Sequence, residues 1–218
     1  HKLSTSLPFN LEWTAFCRID MLYHNPEMIK LIFESGARSL HFGLETFCME
    51  AGKLVGKTLS SNLIKETLYR LKETWGTDII ISAGFIVGLP TESEDSIYRT
   101  IRWLESPDCP IDSVTMTPLT IEPYNPILEK QLVLSDFSKN PQKYNIEFNK
   151  HGWAHKHMSQ KRALEIVHEF SKTELNLTRN RVFGCFVHYS RMRNLGYSHN
   201  DCLSKLNLKS DWYDSVMN

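Results

Sequence analysis

Apolar residues run along this chain in two alternating rhythms, one of short blocks and one of helical spacing. Leu11 to Cys17 (LEWTAFC) is a block that reads as a buried strand, ending on the polar cluster Arg18-Ile19-Asp20. Asn25 and Pro26 open a helix as N-cap and first helical residue, with Met28, Ile29, Leu31 and Ile32 as its apolar face and Gly36 as its stop. Ser39 to Gly43 (SLHFG) reads as a strand running into Leu44-Glu45-Thr46. A short helix over Cys48 to Val55, the loop GKTLSS and a longer helix from Asn62 to Trp75 follow. In that longer helix Ile64, Leu68, Leu71 and Trp75 recur at helical spacing, and Gly76 ends it. Ile79 to Val87 (IIISAGFIV) is nearly all apolar, as in a strand covered on both faces, and leads into Gly88-Leu89-Pro90. Thr91 and Glu94 match a capping box for a helix carrying Ile97, Ile101 and Leu104. Pro107 and Pro110 break that helix, and Ser113 to Thr117 (SVTMT) is a further strand stopped by Pro118.

Strands alternating with amphipathic helices imply parallel strands joined by right-handed crossovers, a partial (β/α) barrel of the α/β class over residues 1–118. Beyond Pro118 the rhythm stops. Leu119 to Met158 reads as an irregular connection containing Pro123, Pro126, Pro141 and Gly152. Residues 159–218 read as a helical C-terminal region: Ala163 to Leu177, Val182 to Leu195, then two short helices capped by Ser198 and Ser210.

Composition narrows the class. Apolar residues make up 41% and charged residues 23%, and the 25 basic side chains balance 25 acidic ones. No basic run offers an electrostatic footprint for nucleic acid. No apolar run approaches the ~20 residues of a membrane span. The first residue is His1, not Met, so a longer parent chain is expected. Cys17, Cys48, Cys109, Cys185 and Cys202 are scattered and contain no CxxC pair, which argues against disulfides and a zinc site and for reduced thiols in a cytoplasmic protein. Cys17 and Cys185 sit in apolar stretches and read as core. His151, His155 and His157 form a weak metal motif, outweighed by a polar linker in which Trp153 and Met158 dock onto the barrel.

Parallel α/β sheets bind ligands at the carboxyl ends of their strands. Standing there are Arg18 and Asp20, Glu45 and Thr46, then Gly88, Pro90 and Glu92, and finally Thr117 and Pro118. Each has a plainer reading: Glu45 as a solvated loop residue, Gly88-Leu89-Pro90 as a tight turn, Arg18 and Asp20 as a structural ion pair. Their gathering on one rim favours a site. Tyr124, Trp153, Trp212 and Tyr213 are aromatic candidates for shaping a substrate pocket, or simply for packing.

The stretch from Arg18 to Glu92 resembles the radical S-adenosylmethionine (SAM) superfamily, in particular its cobalamin-associated branch. The pieces that carry the resemblance are RID, NPEMIKLIFESGA, LHFGLET, GKTLS and GFIVGLPTES, with Thr117-Pro118 similar to the end of the family's sixth strand. The resemblance implies strands three to six of a (β/α)6 barrel. It implies a SAM ribose beside Glu45, adenine against backbone at Gly84, Ile86 and Gly88, a pocket completed by Thr117 and Pro118, and Pro90 among the cofactor-binding residues. Arg18 would meet a charged group of cofactor or substrate, and Asp20, Glu92 and Tyr124 would lie toward the substrate, a small molecule or natural product. The chemistry agrees: a carboxylate accepts both ribose hydroxyls, and glycine lets backbone approach a flat purine.

The family's CxxxCxxC loop, which ligates a [4Fe-4S] cluster, and its second strand have no counterpart here. The resemblance therefore implies that SAM and a [4Fe-4S] cluster, joined by cobalamin in the cobalamin-associated branch, serve a complete enzyme whose N-terminal half lies upstream or in a partner chain. Two alternatives stay open: an acid/base barrel enzyme using Glu45, Glu92 and Asp20, and a non-catalytic half-barrel partner subunit. The sequence upstream of His1 separates them. On this reading Leu11 to Cys17 is an interior strand of the parent molecule, and the isolated chain should bind no iron and tend to aggregate.

Overall fold

The computed structural model describes residues 6–125, 136–172 and 185–206. The ends of the expected helices at Leu177 and Val182, the Ser210 cap, Pro126, Trp212 and Tyr213 lie outside them.

Strands β1 (Trp13–Cys17), β2 (Ala37–Glu45), β3 (Ile80–Val87) and β4 (Ser113–Pro118) form one parallel sheet in chain order. Between β1 and β2 the chain makes helices α1 (Ile19–His24) and α2 (Glu27–Glu34). Helices α3 (Met49–Leu54) and α4 (Ser61–Trp75) connect β2 to β3, and α5 (Glu94–Leu104) connects β3 to β4. Gly36, at φ 93°, stops α2, and an added Cβ there would run into the Leu11 carbonyl. Ser60 caps α4 by accepting from the Leu63 amide at 3.4 Å. The expected capping box at Thr91 and Glu94 is replaced. Ser93 caps α5 by accepting from the Ser96 amide at 3.3 Å, while Thr91 sits in the preceding turn with φ 73°. The sequence offers two hydroxyls two residues apart, and the turn after β3 consumes the first.

One face of the sheet is buried under the helices. Leu40, Phe42 and Leu44 of β2, Ile81, Ala83, Phe85 and Val87 of β3, and Val114 and Met116 of β4 pack there with Leu68, Leu71, Trp75, Ile97, Ile101 and Leu104. Trp75 also donates from Nε1 to the Ile29 carbonyl at 2.9 Å, tying α4 to α2.

The expected irregular connection is partly ordered as strands β5 (Glu147–Asn149), β6 (Gly152–His155) and β7 (Met158–Ser159), a small antiparallel meander. It follows helix α6 (Asp136–Lys139) and a 3-10 turn at Pro141–Tyr144. Strands of two to four residues leave almost no periodicity to detect. Trp153 and Met158 dock as expected, 1% and 5% exposed. Helix α7 (Gln160–Lys172) then packs on β4 and β3. Helices α8 (Cys185–Asn194) and α9 (His199–Leu206) turn onto the opposite face of the sheet. There Tyr189, Met192 and Cys202 bury Ile80, and the Thr14 and Ser190 hydroxyls are 2.7 Å apart. Among the described residues no helix is long and apolar enough to cross a membrane.

Candidate cofactor site

Strand alternation decides what the second, inner face presents. Its register aligns Phe16, His41, Ser82 and Ser113 in one row, and Gly43, Gly84 and Thr115 in the next. Ile86 and Thr117 form the row at the rim. Closed (β/α) barrels fill this space with bulky branched side chains, whereas here most positions are hydroxyl or glycine. Helices α8 and α9 cover the lower row near Ile80, Ser82 and Ser113 above it are also buried, and the wall opens from Gly43, Gly84 and Thr115 toward the rim.

At the end of β1, Arg18 grips Asp20 with two bonds, Nε to Oδ1 at 3.0 Å and Nη2 to Oδ2 at 2.7 Å, and also reaches the Gly56 carbonyl at 3.3 Å. The Arg18 guanidinium holds the Asp20 carboxyl below its usual range. This pair spans the mouth between β1 and the loop after α3.

At the end of β2 the chain reverses within one residue. Glu45 has φ 66°, and the Thr46 amide bonds to the Leu44 carbonyl at 2.8 Å. That is a γ-turn of the rarer, strained hand, a conformation that costs about 1–3 kcal/mol. The reversal carries the Glu45 carboxylate over Gly43, where any Cβ would collide with its Oε1. Lys57 approaches Glu45 at 3.6 Å and donates to the Gly43 carbonyl at 2.5 Å. The result is a carboxylate on the inner face at the rim, oriented by a lysine and given room by a glycine.

The end of β3 supplies bare backbone. Gly84 lies on the inner face, where an added Cβ would come 3.0 Å from His41 Nε2. Gly88, at φ 97°, could not accept a side chain, because the Trp153 ring fills that space. His155 stacks on Trp153 at 5.5 Å and bonds to the Gly88 carbonyl at 3.1 Å through Nε2. Its Nδ1 accepts from the His157 amide at 3.3 Å, so Nε2 carries the proton. The histidines therefore clamp a turn, and no group of three metal-ligating side chains occurs among the described residues. Pro90 sits inside the turn closed by the Glu92 amide and the Leu89 carbonyl at 3.1 Å. Thr117 and Pro118 end β4 beside Ile86 and Val87, and the Leu119 amide continues the pairing to the Val87 carbonyl at 2.8 Å.

Two of the substrate candidates lie away from this rim's centre. Glu92 is 2% exposed and accepts from the Thr46 hydroxyl at 2.5 Å, inside the apolar layer. Burial pushes its carboxyl up to about 7, with the Thr46 bond opposing. Tyr124 is 47% exposed. Two residues of the site escaped the sequence reading. Lys57 stands in the GKTLS motif without a role, and its signal is a cation between the Gly56 turn and the start of α4. His41, whose Nδ1 lies 3.0 Å from the Ser82 hydroxyl, was the polar position in an apolar strand.

A nucleoside-bearing ligand such as SAM fits this rim: a carboxylate with two acceptor oxygens faces the open wall, next to backbone stripped of side chains at Gly43 and Gly84. A [4Fe-4S] cluster does not fit the described residues, since Cys17, Cys48, Cys109 and Cys202 never gather.

No family model matches the chain. Residues of the chain align with an oxygen-independent coproporphyrinogen III oxidase of Helicobacter pylori, 25% identical over 96 residues, 44% of this chain and 21% of that protein. An anaerobic magnesium-protoporphyrin IX monomethyl ester cyclase of Cereibacter sphaeroides is 27% identical over 139 residues, 63% of this chain and 22% of that protein. The chain thus spans about a fifth of the length of these relatives. Among solved structures, the radical SAM methyltransferase TsrM from Kitasatospora setae, with cobalamin and a [4Fe-4S] cluster bound, superposes with TM-score 0.57 at 14% identity. That match covers 94% of this chain and 47% of that one. This is the radical SAM fold. The archaeal Elp3 of Methanocaldococcus infernus shares it at TM-score 0.53 and 15% identity, over 90% of this chain and 45% of that one. Both matches are too long to end at β4.

Proposed function

We propose that this chain is the SAM-binding portion of a radical SAM enzyme, acting at the carboxyl ends of β2, β3 and β4. The observation that carries the reading is Glu45, set by a strained turn on an open, polar inner wall within a fold shared with a solved radical SAM methyltransferase. Glu45 would accept the ribose hydroxyls, and Lys57 would keep that carboxylate aimed. Backbone at Gly84, Ile86 and Gly88, with Pro90, Thr117 and Pro118, would face the adenine. Arg18 would offer charge at the mouth, and Asp20 would restrain it. SAM bound there, together with a [4Fe-4S] cluster, would supply a 5′-deoxyadenosyl radical or a methyl group for a small-molecule or natural-product substrate. Cobalamin as a second cofactor, and with it methyl transfer, is the finer proposal, supported by the methyltransferase neighbour.

The cluster ligands belong in this reading to an upstream half or a partner chain, so this chain alone would be inactive. Cys17, Cys48, Cys109 and Cys202, which form no disulfide, suit a reducing, cytoplasmic setting. An acid/base enzyme is less well supported, because Glu92 is buried and Asp20 is held by Arg18. The test is Glu45→Ala in the full-length, cluster-reconstituted protein. SAM binding and 5′-deoxyadenosine formation should fall at least tenfold with the melting temperature little changed. Unaltered 5′-deoxyadenosine formation would remove Glu45 from the site.

A further inference from the structure

Three non-glycine residues among those described have left-handed backbone, Glu45, Thr91 and Asn145, and two of them belong to the rim. Glu45 is the centre of the γ-turn that ends β2. Thr91 is the third residue of the turn Leu89-Pro90-Thr91-Glu92, a position that favours glycine when proline precedes it. Neither residue is the one its turn prefers, so something nearby must hold each reversal.

The residues that directly follow them are bonded to each other. The Thr46 hydroxyl donates to Glu92 Oε1 at 2.5 Å and accepts from the Cys48 amide at 2.8 Å. Thr46 is 4% exposed and Glu92 2%. Both border a small cavity with Glu45, Phe85, Ile97 and Met116, and Glu92 Oε2 makes no hydrogen bond there. Two strained rim loops, one bearing Glu45 and the other bearing Gly88 and Pro90, are therefore tied by a single buried bond.

We infer that Thr46 and Glu92 are positioning residues for the cofactor site: their bond fixes the turn that aims Glu45 and sets the spacing between the β2 and β3 walls. The inference rests on the proposed role of Glu45 toward SAM. Neither side chain reaches the open wall, so both act through Glu45 and the backbone after β3. Any group that restores a hydroxyl at 46 and a carbonyl acceptor at 92 should restore the arrangement.

The test is SAM affinity, measured by equilibrium dialysis on the full-length, cluster-reconstituted protein. Thr46→Val, which keeps the shape and removes the hydroxyl, should weaken SAM binding about tenfold, the effect of losing one net hydrogen bond. Thr46→Ser and Glu92→Gln, which keep donor and acceptor, should stay within about threefold. In a Glu45→Ala background Thr46→Val should add almost nothing, because the residue through which it acts is gone. A purely structural role would lower the melting temperature and leave the two losses additive, which would overturn the inference. Thr46→Val with unchanged affinity, beside a Glu45→Ala that loses it, would overturn it as well. Unchanged affinity in Glu45→Ala itself would instead remove the reading on which the inference stands.

Discussion

The two faces of the β1–β4 sheet are built from the same strands and obey opposite rules. The helix-covered face carries Leu40, Phe42, Leu44, Ile81, Phe85, Val87, Val114 and Met116, all buried. Offset by one residue, the inner face carries Ser39, His41, Gly43, Ser82, Gly84, Ser113, Thr115 and Thr117, with isoleucine only at Ile80 under α8 and α9 and at Ile86 on the rim. A side-chain period of two makes this division possible within a single strand. One face supplies cohesion, since each buried large apolar side chain contributes roughly 1.5–3 kcal/mol. The other gives up that contribution and gains a wall of hydroxyls and bare backbone. A polar inner wall is costly if left dry, and it is useful where a polar ligand occupies it.

The largest test of this division is Phe42→Ala. Phe42 is 0% exposed at the centre of the core. Truncation should cost about 3–5 kcal/mol, by lost burial and a cavity that rigid strands cannot close. Thr115→Ala, on the inner face of β4, should cost less than about 1 kcal/mol. Denaturant unfolding of the two variants checks the contrast, and equal losses would mean that the inner face is a second core.

Glu92 is the polar exception within the helix-covered layer, and its titration gives the next largest effect. Burial pushes its carboxyl up to about 7 in the folded chain, against about 4.3 when unfolded. Between those values the folded state holds a proton that the unfolded state has released. The contribution of the neutral acid is therefore complete below the unfolded value and is lost as pH rises through about 7. The loss amounts to about 3–4 kcal/mol. Glu45 is the other ionisable group bordering the cavity, and Lys57 offsets its charge from the far side. Glu92→Gln keeps the acceptor for Thr46 and cannot ionise. It should flatten the stability profile between about pH 4.5 and 7 and be the more stable form at pH 8. Urea unfolding at pH 5 and pH 8 measures this, and a parallel pH slope in the variant would show that Glu92 is ionised when folded.

Much of the parallel sheet was legible because each strand is bounded by turn residues and its neighbours by helical spacing. Glu45, Gly88 and Pro118 could be placed on the rim for the same reason: a residue that follows a strand has only one end of the sheet to occupy. The inner wall was harder to read. Ser82 and Gly84 interrupt IIISAGFIV at alternate positions, yet the flanking isoleucines and Ala83 make the block look uniformly apolar. The left-handed turns at Glu45 and Thr91 were invisible, since neither residue type announces such a backbone. Thr91 therefore passes for a cap, and Glu92 for a rim acid facing the substrate. The meander after Pro118 was missed because its strands are too short for a period to register.

The smallest effect separates the faces most cleanly, because it uses the same side chain on adjacent strands. Phe16 pairs in register with His41, and Phe42 pairs with Cys17, so the two rings stand on neighbouring strands and point to opposite sides. Phe16 is 72% exposed and touches the His41 ring edge-on at 5.2 Å. A ring this exposed loses little on truncation, so Phe16→Ala should change the unfolding free energy of this chain by less than about 1 kcal/mol. If an upstream half-barrel pairs with β1 and closes over this wall, the same substitution in the full-length protein should cost several times more. The two unfolding measurements, made side by side, check both statements. An equally small effect in the full-length protein would mean that the β1 end of the inner wall faces solvent there too, and the closed-barrel reading of that edge would fall.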